Sequence, residues 1–320
     1  MSPSKLIASL IALACAAAVC VHYGLRYERA GDAASRNALS GLAPVRSTLN
    51  SGPEPLLGAY IPGMPDSTAS LTRFEKSTGT KEHIAVYYSS WGEPFKSGFA
   101  RTVRAMGAVP LVQIDPGKLA VSDIADGGQD DYLISYAQAV RAYSQPVILS
   151  FGREFNGDWY RWGYEHTSPA TFVAAWRHIV TVFRRQGAYN VVWLWTADVL
   201  IGSRTADPKA WWPGSSYVTW VGVDGYYRNA GDTFAHLFNA TLSDIRAITD
   251  DPVLVAETAI AADADRIAQI PNLFQTVKAD KLVGFVWFDT NGTDDWVIDN
   301  DPSALAAFGA AARRYDYQGG

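Results

Sequence analysis

The sequence predicts an α/β fold in which eight parallel strands close into a (β/α)8 TIM barrel. Eight short apolar runs alternate with longer segments of helical periodicity. Residues 55–316 hold all eight units, which is close to the ~250 residues typical of such a barrel. No Gly-x-Gly-x-x-Gly follows the first run, so an open dinucleotide-binding sheet is disfavoured. We therefore expect these residues to form a single domain.

The predicted strands are rich in β-branched and aromatic residues, and most are too short to be helices. Both features are typical of parallel strands that are buried on both faces. The eight predicted strands are residues 56–61, 84–90, 109–114, 146–152, 191–196, 220–225, 252–257 and 283–288.

The spacers between these runs carry helix signals. Ser168 and Pro169 form a typical helix start, and apolar residues then recur at three- and four-residue steps from Phe172 to Phe183. This helix is predicted to end near Gly187. Three further spacers have the same pattern, at residues 130–143, 232–248 and 263–277.

Composition excludes several classes of function. Of the 320 residues 48% are hydrophobic and 18% charged, as in a folded globular domain. A net charge of −5 without any basic block argues against nucleic-acid binding. Cys15 and Cys20 both precede the folded body, and the five histidines have no zinc-type spacing. We expect neither a metal nor a cofactor.

The chain begins with a segment that predicts export. Residues 6–25 contain no charge and lie between Lys5 and Arg26, which fits a signal peptide or a single membrane anchor. We assign residues 1–25 to that segment and residues 26–54, rich in Ala, Ser, Gly and Arg, to a linker. The protein is then secreted or tethered to the membrane, and both alternatives stay open, as does the oligomeric state.

Two glutamates lie where a barrel of this kind carries its chemistry, at the C-terminal ends of the strands. Glu154 follows the fourth predicted strand, and Glu257 ends the seventh. Alternation places Glu154 on the face of Ser150, and Glu257 on the face of Val253 and Val255. A structural ion pair would explain one such glutamate equally well, but two on facing strands favour a shared cleft.

Paired carboxylates indicate glycoside hydrolysis. One acid must be protonated to donate to the leaving oxygen, and the other must be ionised to attack or to activate water. A separation of about 5 Å would mean retention of configuration and about 6.5–9.5 Å inversion. The sequence leaves both outcomes open.

Aromatic residues at the strand ends support a sugar-binding role. Flat rings with polar tips match the C–H faces and hydroxyl groups of sugars. Among the 11 Trp and 16 Tyr, Trp159, Trp162 and Trp287 are the favoured platforms, although any single one also fits a core position. The cluster comprises Trp91, Trp159, Tyr160, Trp162, Trp195, Trp211, Trp212, Tyr226, Tyr227 and Trp287.

Four motifs together resemble glycoside hydrolase family 26, the family of β-mannanases and some mixed-linkage β-glucanases and β-1,3-xylanases. Residues 151–163 (FGREFNGDWYRWG) are similar to its acid/base segment, and residues 220–226 (WVGVDGY) to its sixth strand. Residues 252–257 (PVLVAE) resemble its nucleophile strand. Residues 286–288 (VWF), followed by 295–299 (DWVID), resemble the end of its eighth strand. The resemblance covers about residues 56–312.

This resemblance implies a retaining mechanism with Glu154 as acid/base and Glu257 as nucleophile. It also implies that Tyr226 hydrogen-bonds the nucleophile, that Trp159 forms a wall of the sugar site and that Trp287 lies under the sugar. The full set of expected substrate contacts is Trp91, Arg153, Asn156, Trp159, Trp162, Asp224, Tyr226 and Trp287.

The chain departs from the family pattern beside the acid/base. Arg153 stands where typical mannanases of the family have histidine, and Ser150 stands where arginine is common. Arg153 fits three roles: fixing a catalytic glutamate, binding a sugar hydroxyl, or forming a structural ion pair. Asp115, Asp198 and Asp224, which also follow or end strands, fit either a substrate contact or a turn cap.

The predicted function is an endo-acting β-glycan hydrolase, with β-1,4-mannan as first substrate and β-1,3-1,4-glucan as second. A transglycosidase that trims an exported polysaccharide is an alternative, and an inactive carbohydrate-binding barrel is the alternative of another class. A serine hydrolase is disfavoured because no Gly-x-Ser-x-Gly motif occurs.

Overall fold

The structure, a computed structural model, describes residues 54–291 and 294–317. The predicted signal or anchor and all but the last residue of the predicted linker lie outside the described residues. Within the described part of the chain, no helix has the length and apolar character needed to cross a bilayer.

Eight parallel strands form a closed barrel in sequence order, with β8 paired to β1. The predicted TIM barrel is therefore confirmed. β3, β5 and β7 continue one or two residues further than predicted, which brings acidic or hydroxyl side chains onto the strand ends. The strands are β1 Leu56–Tyr60, β2 Ile84–Ser90, β3 Val109–Asp115, β4 Val147–Phe151, β5 Val191–Asp198, β6 Trp220–Asp224, β7 Val253–Thr258 and β8 Gly284–Phe288.

Helices follow the strands and cover the outside of the barrel. α5 begins where Ser168 accepts a hydrogen bond from the backbone N–H of Thr171 and Pro169 occupies the first turn. The helices are α1 Ala69–Thr78, α2 Ser97–Ala105, α3 Val121–Ala125, α4 Asp130–Tyr143, α5 Pro169–Arg185, α6 Phe234–Arg246, α7 Arg266–Ala279 and α8 Pro302–Arg314. All four predicted helices are present.

The core has two layers. Aliphatic side chains such as Val86 and Leu111, with Trp220, fill the lower barrel interior. Larger aromatic side chains, including Trp176 and Phe308, fill the space between the strands and the helices. Towards the C-terminal ends of the strands the interior becomes polar, because buried acids, amides and hydroxyls replace the aliphatic residues. The packing therefore leaves the chemistry at one mouth of the barrel.

A bulge in β7 decides where Glu257 points. Val253 and Val255 pack in the outer layer, and Ala256 faces the barrel interior. Regular pairing would place Asp224 opposite Ala256, but the register shifts and Asp224 pairs with Glu257. Glu257 therefore does not share the face of Val253 and Val255, contrary to the prediction, because the extra residue of the bulge turns the glutamate inward.

Candidate active site

The backbone after β4 holds Glu154 in an unusual conformation. Gly152 and Glu154 both have positive φ angles, 56° and 52°. A Cβ on Gly152 would approach the ring of Phe172 to 3.0 Å, so glycine fits the close packing here. The N–H of Glu154 donates to the carbonyl of Thr196 at 2.9 Å, which fixes the turn to β5. The Glu154 side chain consequently projects over the barrel mouth.

Glu257 lies beside two hydroxyl donors and one guanidinium group. Tyr88 donates its hydroxyl hydrogen to Oε1, and Tyr226 donates to Oε2 at 2.8 Å. The Arg153 Nε lies 3.4 Å from Oε1. Glu257 is only 4% exposed, so these contacts replace the water that would otherwise stabilise its negative charge.

The two glutamates converge on one pocket. One carboxyl oxygen each from Glu154, Glu257 and Asp224 lie within 4.8 Å of one another. Burial first, and the charge of Glu257 second, raise the pKa of Glu154 to about 7, against the opposing effect of Arg153. At neutral pH, therefore, Glu154 retains a proton for much of the time, while Glu257 has donors suited to a carboxylate.

Asp224 is the third acid of the cluster and is fully buried. Neither of its carboxyl oxygens has a hydrogen-bond partner among the described residues. Burial, followed by the charges of Glu257 and Glu154, raises the pKa of Asp224 well above its usual range. These three carboxyl groups are close enough to share a cation. Burial also favours the protonated forms of Glu154 and Asp224.

Arg153 connects Glu257 to the rim of the mouth. Its Nη1 binds both carboxylate oxygens of Asp115, and its Nη2 donates to the Tyr160 hydroxyl at 2.8 Å. The guanidinium also lies over the rings of Tyr88 and Tyr160, at 4.6 and 4.9 Å from their centroids. Of the three predicted roles, Arg153 has two here: it contacts Glu257 and forms an ion pair with Asp115.

A model of glycosyl hydrolase family 26 matches residues 128–312, which is more than half of the chain. The chain belongs to glycosyl hydrolase family 26. The predicted family is therefore confirmed, and Glu154 and Glu257 lie at the mouth of a family 26 barrel.

Relatives of this family 26 chain include a protein named as an endoglucanase and a protein named as a mannanase. Endoglucanase H of Acetivibrio thermocellus is 28% identical over 268 residues, which are 79% of this chain and 30% of that protein. A mannan endo-1,4-beta-mannosidase of Bifidobacterium adolescentis is 25% identical over 127 residues, 38% of this chain and 13% of that protein. The chain thus spans less than a third of the length of either relative.

Solved structures of family 26 mannanases share the fold. Bacillus subtilis mannanase man26 superposes with a TM-score of 0.62 and 18% identity, over 82% of this chain and 87% of that one. A modular endo-beta-1,4-mannanase from Cellulomonas fimi gives a TM-score of 0.65 and 18% identity, over 88% and 74%. At this identity the likeness concerns the barrel only.

Two tryptophans of the family's acid/base segment have different positions. Trp159 is partly exposed, and its Nε1–H donates to Oε2 of Glu154 at 2.5 Å. Trp162 is buried, donates to the backbone carbonyl of Arg153 at 2.8 Å and stacks on Tyr160 with centroids 4.3 Å apart. Trp159 is thus placed to contact a sugar. Trp162 instead supports Tyr160 from behind, so its predicted platform role is not seen.

Trp287 does not lie at the mouth, contrary to the prediction. It is fully buried and packs edge-on against Phe308 of α8 at 5.4 Å. Successive side chains of a strand point to opposite faces, so Phe288 takes the inward position. Phe288 is partly exposed and stacks on Tyr60 at 4.9 Å, with Tyr226 edge-on at 5.7 Å. The aromatic residue available to a sugar at β8 is therefore Phe288.

Asn156 is likewise structural rather than free for substrate. It is fully buried, donates through Nδ2 to the carbonyl of Asp198 at 2.9 Å and accepts from its N–H at 2.8 Å. Trp91 is partly exposed, donates to Gln129 at 3.1 Å and packs against Tyr132. Asn156 thus ties the loop that carries Glu154 to β5, and Trp91 is anchored from the outer side of the barrel.

Sequence reasoning missed Tyr88 as a site residue and named Tyr160 only as part of the aromatic cluster. Tyr88 had a usable signal, because it shares the inward face of β2 with Ile84 and Val86. Tyr160 had no such signal. Its position follows from contacts with Arg153, which lies seven residues earlier in an irregular loop.

The Arg153 contacts predict a change in pH dependence. Arg153 lowers the pKa of Glu154, so an Arg153→Met variant is expected to lose activity at higher pH than the unaltered protein does. Loss of the Glu257 contact is expected to reduce kcat about tenfold, or roughly 1.4 kcal/mol. Profiles of kcat/KM against pH measure both effects.

Arg153→Lys is the matched control, because it keeps the charge but lacks the planar fork that reaches Asp115 and Tyr160 together. It should lower kcat while leaving the alkaline limb near that of the unaltered protein. An unchanged alkaline limb in Arg153→Met would contradict the electrostatic role of Arg153.

Proposed function

We propose that this family 26 chain is a retaining endo-β-glycanase that works by double displacement. The observation that carries the proposal is the approach of carboxyl oxygens from Glu154 and Glu257 to within 4.8 Å. Such a close approach of one oxygen from each acid supports the ~5 Å carboxyl spacing of retaining enzymes over the ~6.5–9.5 Å spacing that leaves room for a water in inverting ones. The different surroundings of the two acids supply the proton donor and the nucleophile.

In the first step an oxygen of Glu257 attacks the anomeric carbon. The bond to the leaving sugar oxygen breaks, and Glu154 transfers its proton to that oxygen. Glu154 is then a carboxylate and takes a proton from water, whose oxygen displaces Glu257 from the anomeric carbon. Tyr88 and Tyr226 hold the two oxygens of Glu257 in place, and Trp159 orients Glu154.

For the sugar we place a β-glucan ahead of β-mannan, which reverses the order suggested by the motifs. The relative named an endoglucanase matches 79% of the chain, whereas the relative named for mannan matches 38%. Arg153, in place of the histidine typical of the family's mannanases, also supports a different contact set beside the cleavage point. The apolar residues 6–25 support the further proposal that hydrolysis occurs outside the cytoplasm.

A reducing-sugar assay tests the proposal with the purified protein and four polymers: β-1,3-1,4-glucan, mannan, glucomannan and β-1,3-xylan. We expect shorter oligosaccharides from the β-glucan, with the β-anomer formed first when followed by proton NMR. An initial α-anomer would contradict retention. Longer products would indicate transglycosylation, and binding without turnover on every polymer would favour a carbohydrate-binding barrel.

A further inference from the structure

An open cavity of about 470 Å³ lies between the segment after β3 and the loop that precedes α5. Both segments follow strands at the C-terminal end of the barrel, beside the mouth. Three basic side chains, those of Lys118, Arg161 and His166, line the cavity. None of the described residues that line it carries a carboxylate. In a chain with a net charge of −5, this is a locally cationic surface.

The two permanent cations of the cavity are not neutralised by the protein. Lys118 and Arg161 are exposed, and neither side chain has an ion pair or hydrogen bond with another described residue. Arg204, on the neighbouring loop, is by contrast paired with Asp158 at 2.8 Å. The cations beside the cavity are therefore free to bind an anion from solution.

Side chains with hydroxyl groups complete the lining. They belong to Ser122, Thr167, Ser168 and Thr171, and the last three also hydrogen-bond to protein atoms. Ser168 is also the N-cap of α5, a helix of 17 residues whose dipole adds positive potential at this end. Lysine and arginine side chains bind carboxylates, and arginine can do so through two parallel hydrogen bonds.

The two cations of the cavity lie on the same loops as residues that support the catalytic centre. Arg161 directly follows Tyr160, and Lys118 lies three residues beyond Asp115. Tyr160 and Asp115 are the two residues that hold Arg153 against Glu257. Lys118 and Arg161 therefore lie on the same two loops that supply Asp115 and Tyr160 to the rim of the catalytic mouth, so a substituent on a sugar chain that leaves the mouth along these loops would meet the two cations.

We propose that this cavity binds a carboxylate on the glycan, and hence that the substrate is an acidic β-glycan containing uronic acid residues. The inference rests on the proposed function for the identity of the polymer. The catalytic acids act on the cleaved bond and do not select a charged substrate. The cavity would select for a negative charge on the glycan at a position away from that bond.

Binding measurements by calorimetry test the inference, with Glu257→Gln in every protein so that the ligand is not consumed. The probe is a β-1,4-linked tetrasaccharide of alternating glucose and glucuronic acid. Its matched control is the carboxyl-reduced form, in which each glucuronic acid has become glucose. We expect the acidic form to bind about tenfold more tightly at low salt, from two exposed charge contacts, and to lose this preference at high salt.

The added change Lys118→Ala/Arg161→Ala should abolish the preference for the acidic tetrasaccharide. Lys76→Ala/Arg101→Ala, which removes two exposed charges from α1 and α2, should keep it. Free glucuronate serves as a competitor of the acidic tetrasaccharide. If it displaces the tetrasaccharide only at a far higher concentration than that of the tetrasaccharide itself, the sugar chain contributes to binding.

Equal binding of the acidic and reduced probes, or binding of neither, would overturn the inference. A preference that survives in Lys118→Ala/Arg161→Ala would also overturn it. The proposed function would be contradicted by a different result, the absence of products in the reducing-sugar assay. That result would leave the binding comparison unaffected.

Discussion

Replacement of Glu257 by glutamine is expected to reduce kcat on any susceptible β-glycan by about 10⁴-fold or more, as for loss of a nucleophile. Glutamine keeps the shape of the side chain but has no anionic oxygen to attack the anomeric carbon. The hydroxyls of Tyr88 and Tyr226 would then face a neutral amide instead of a carboxylate. Rates of reducing-sugar release at saturating substrate measure the loss.

Glu82→Gln is the matched control for this experiment. Glu82 is also buried, at 2% exposure, and burial raises its pKa to about 8. It precedes β2, however, and thus lies at the opposite end of the barrel from the mouth. We expect Glu82→Gln to keep its activity. A Glu257→Gln protein that folds normally and retains a substantial rate would exclude Glu257 as the nucleophile.

Replacement of Glu154 by alanine is expected to lower kcat on polysaccharides by about 10²- to 10⁴-fold, the usual contribution of general acid–base catalysis. The first step should survive with an aryl glycoside whose leaving group needs no proton. The second step should then limit the rate, because no base activates water. Azide should restore turnover, since it attacks without a base and fits the space that the side chain leaves.

The pH profile distinguishes this role from a purely structural one. Burial raises the pKa of Glu154 to about 7, and the group must be protonated at the start of the cycle. For the unaltered protein, kcat/KM should therefore fall as pH rises through about 7. The Glu154→Ala variant should lack this alkaline limb on the aryl glycoside. Persistence of the same limb would assign it to another group.

Much of the fold follows from local features of the sequence. The eight strands and four predicted helices were recognisable because side-chain periodicity and capping residues such as Ser168 act within a few residues. Barrel closure followed from the number of units. The positions of Glu154 and Glu257 at strand ends also followed, since strand exits in such a barrel meet at one face.

The orientation of individual side chains depended on contacts that are distant in sequence. The bulge that turns Glu257 inward is set by pairing between β6 and β7. Trp287 and Phe288 differ only in which face of β8 they occupy, and packing against α8 places the tryptophan outside the barrel. A run such as VWF is compatible with either orientation, because both faces of a buried strand are apolar.

The sequence by itself determined the barrel, the family and the pair of glutamates, since these depend on residue types at short, regular spacings. Only the tertiary structure decided that the glutamate oxygens approach within 4.8 Å, that Arg153 joins Asp115 to Glu257, and that Asn156 is fully engaged by Asp198. These features arise where separate strand ends and loops meet. Burial and the summed charges of neighbours, which no linear pattern contains, then set the proton affinity of Glu154.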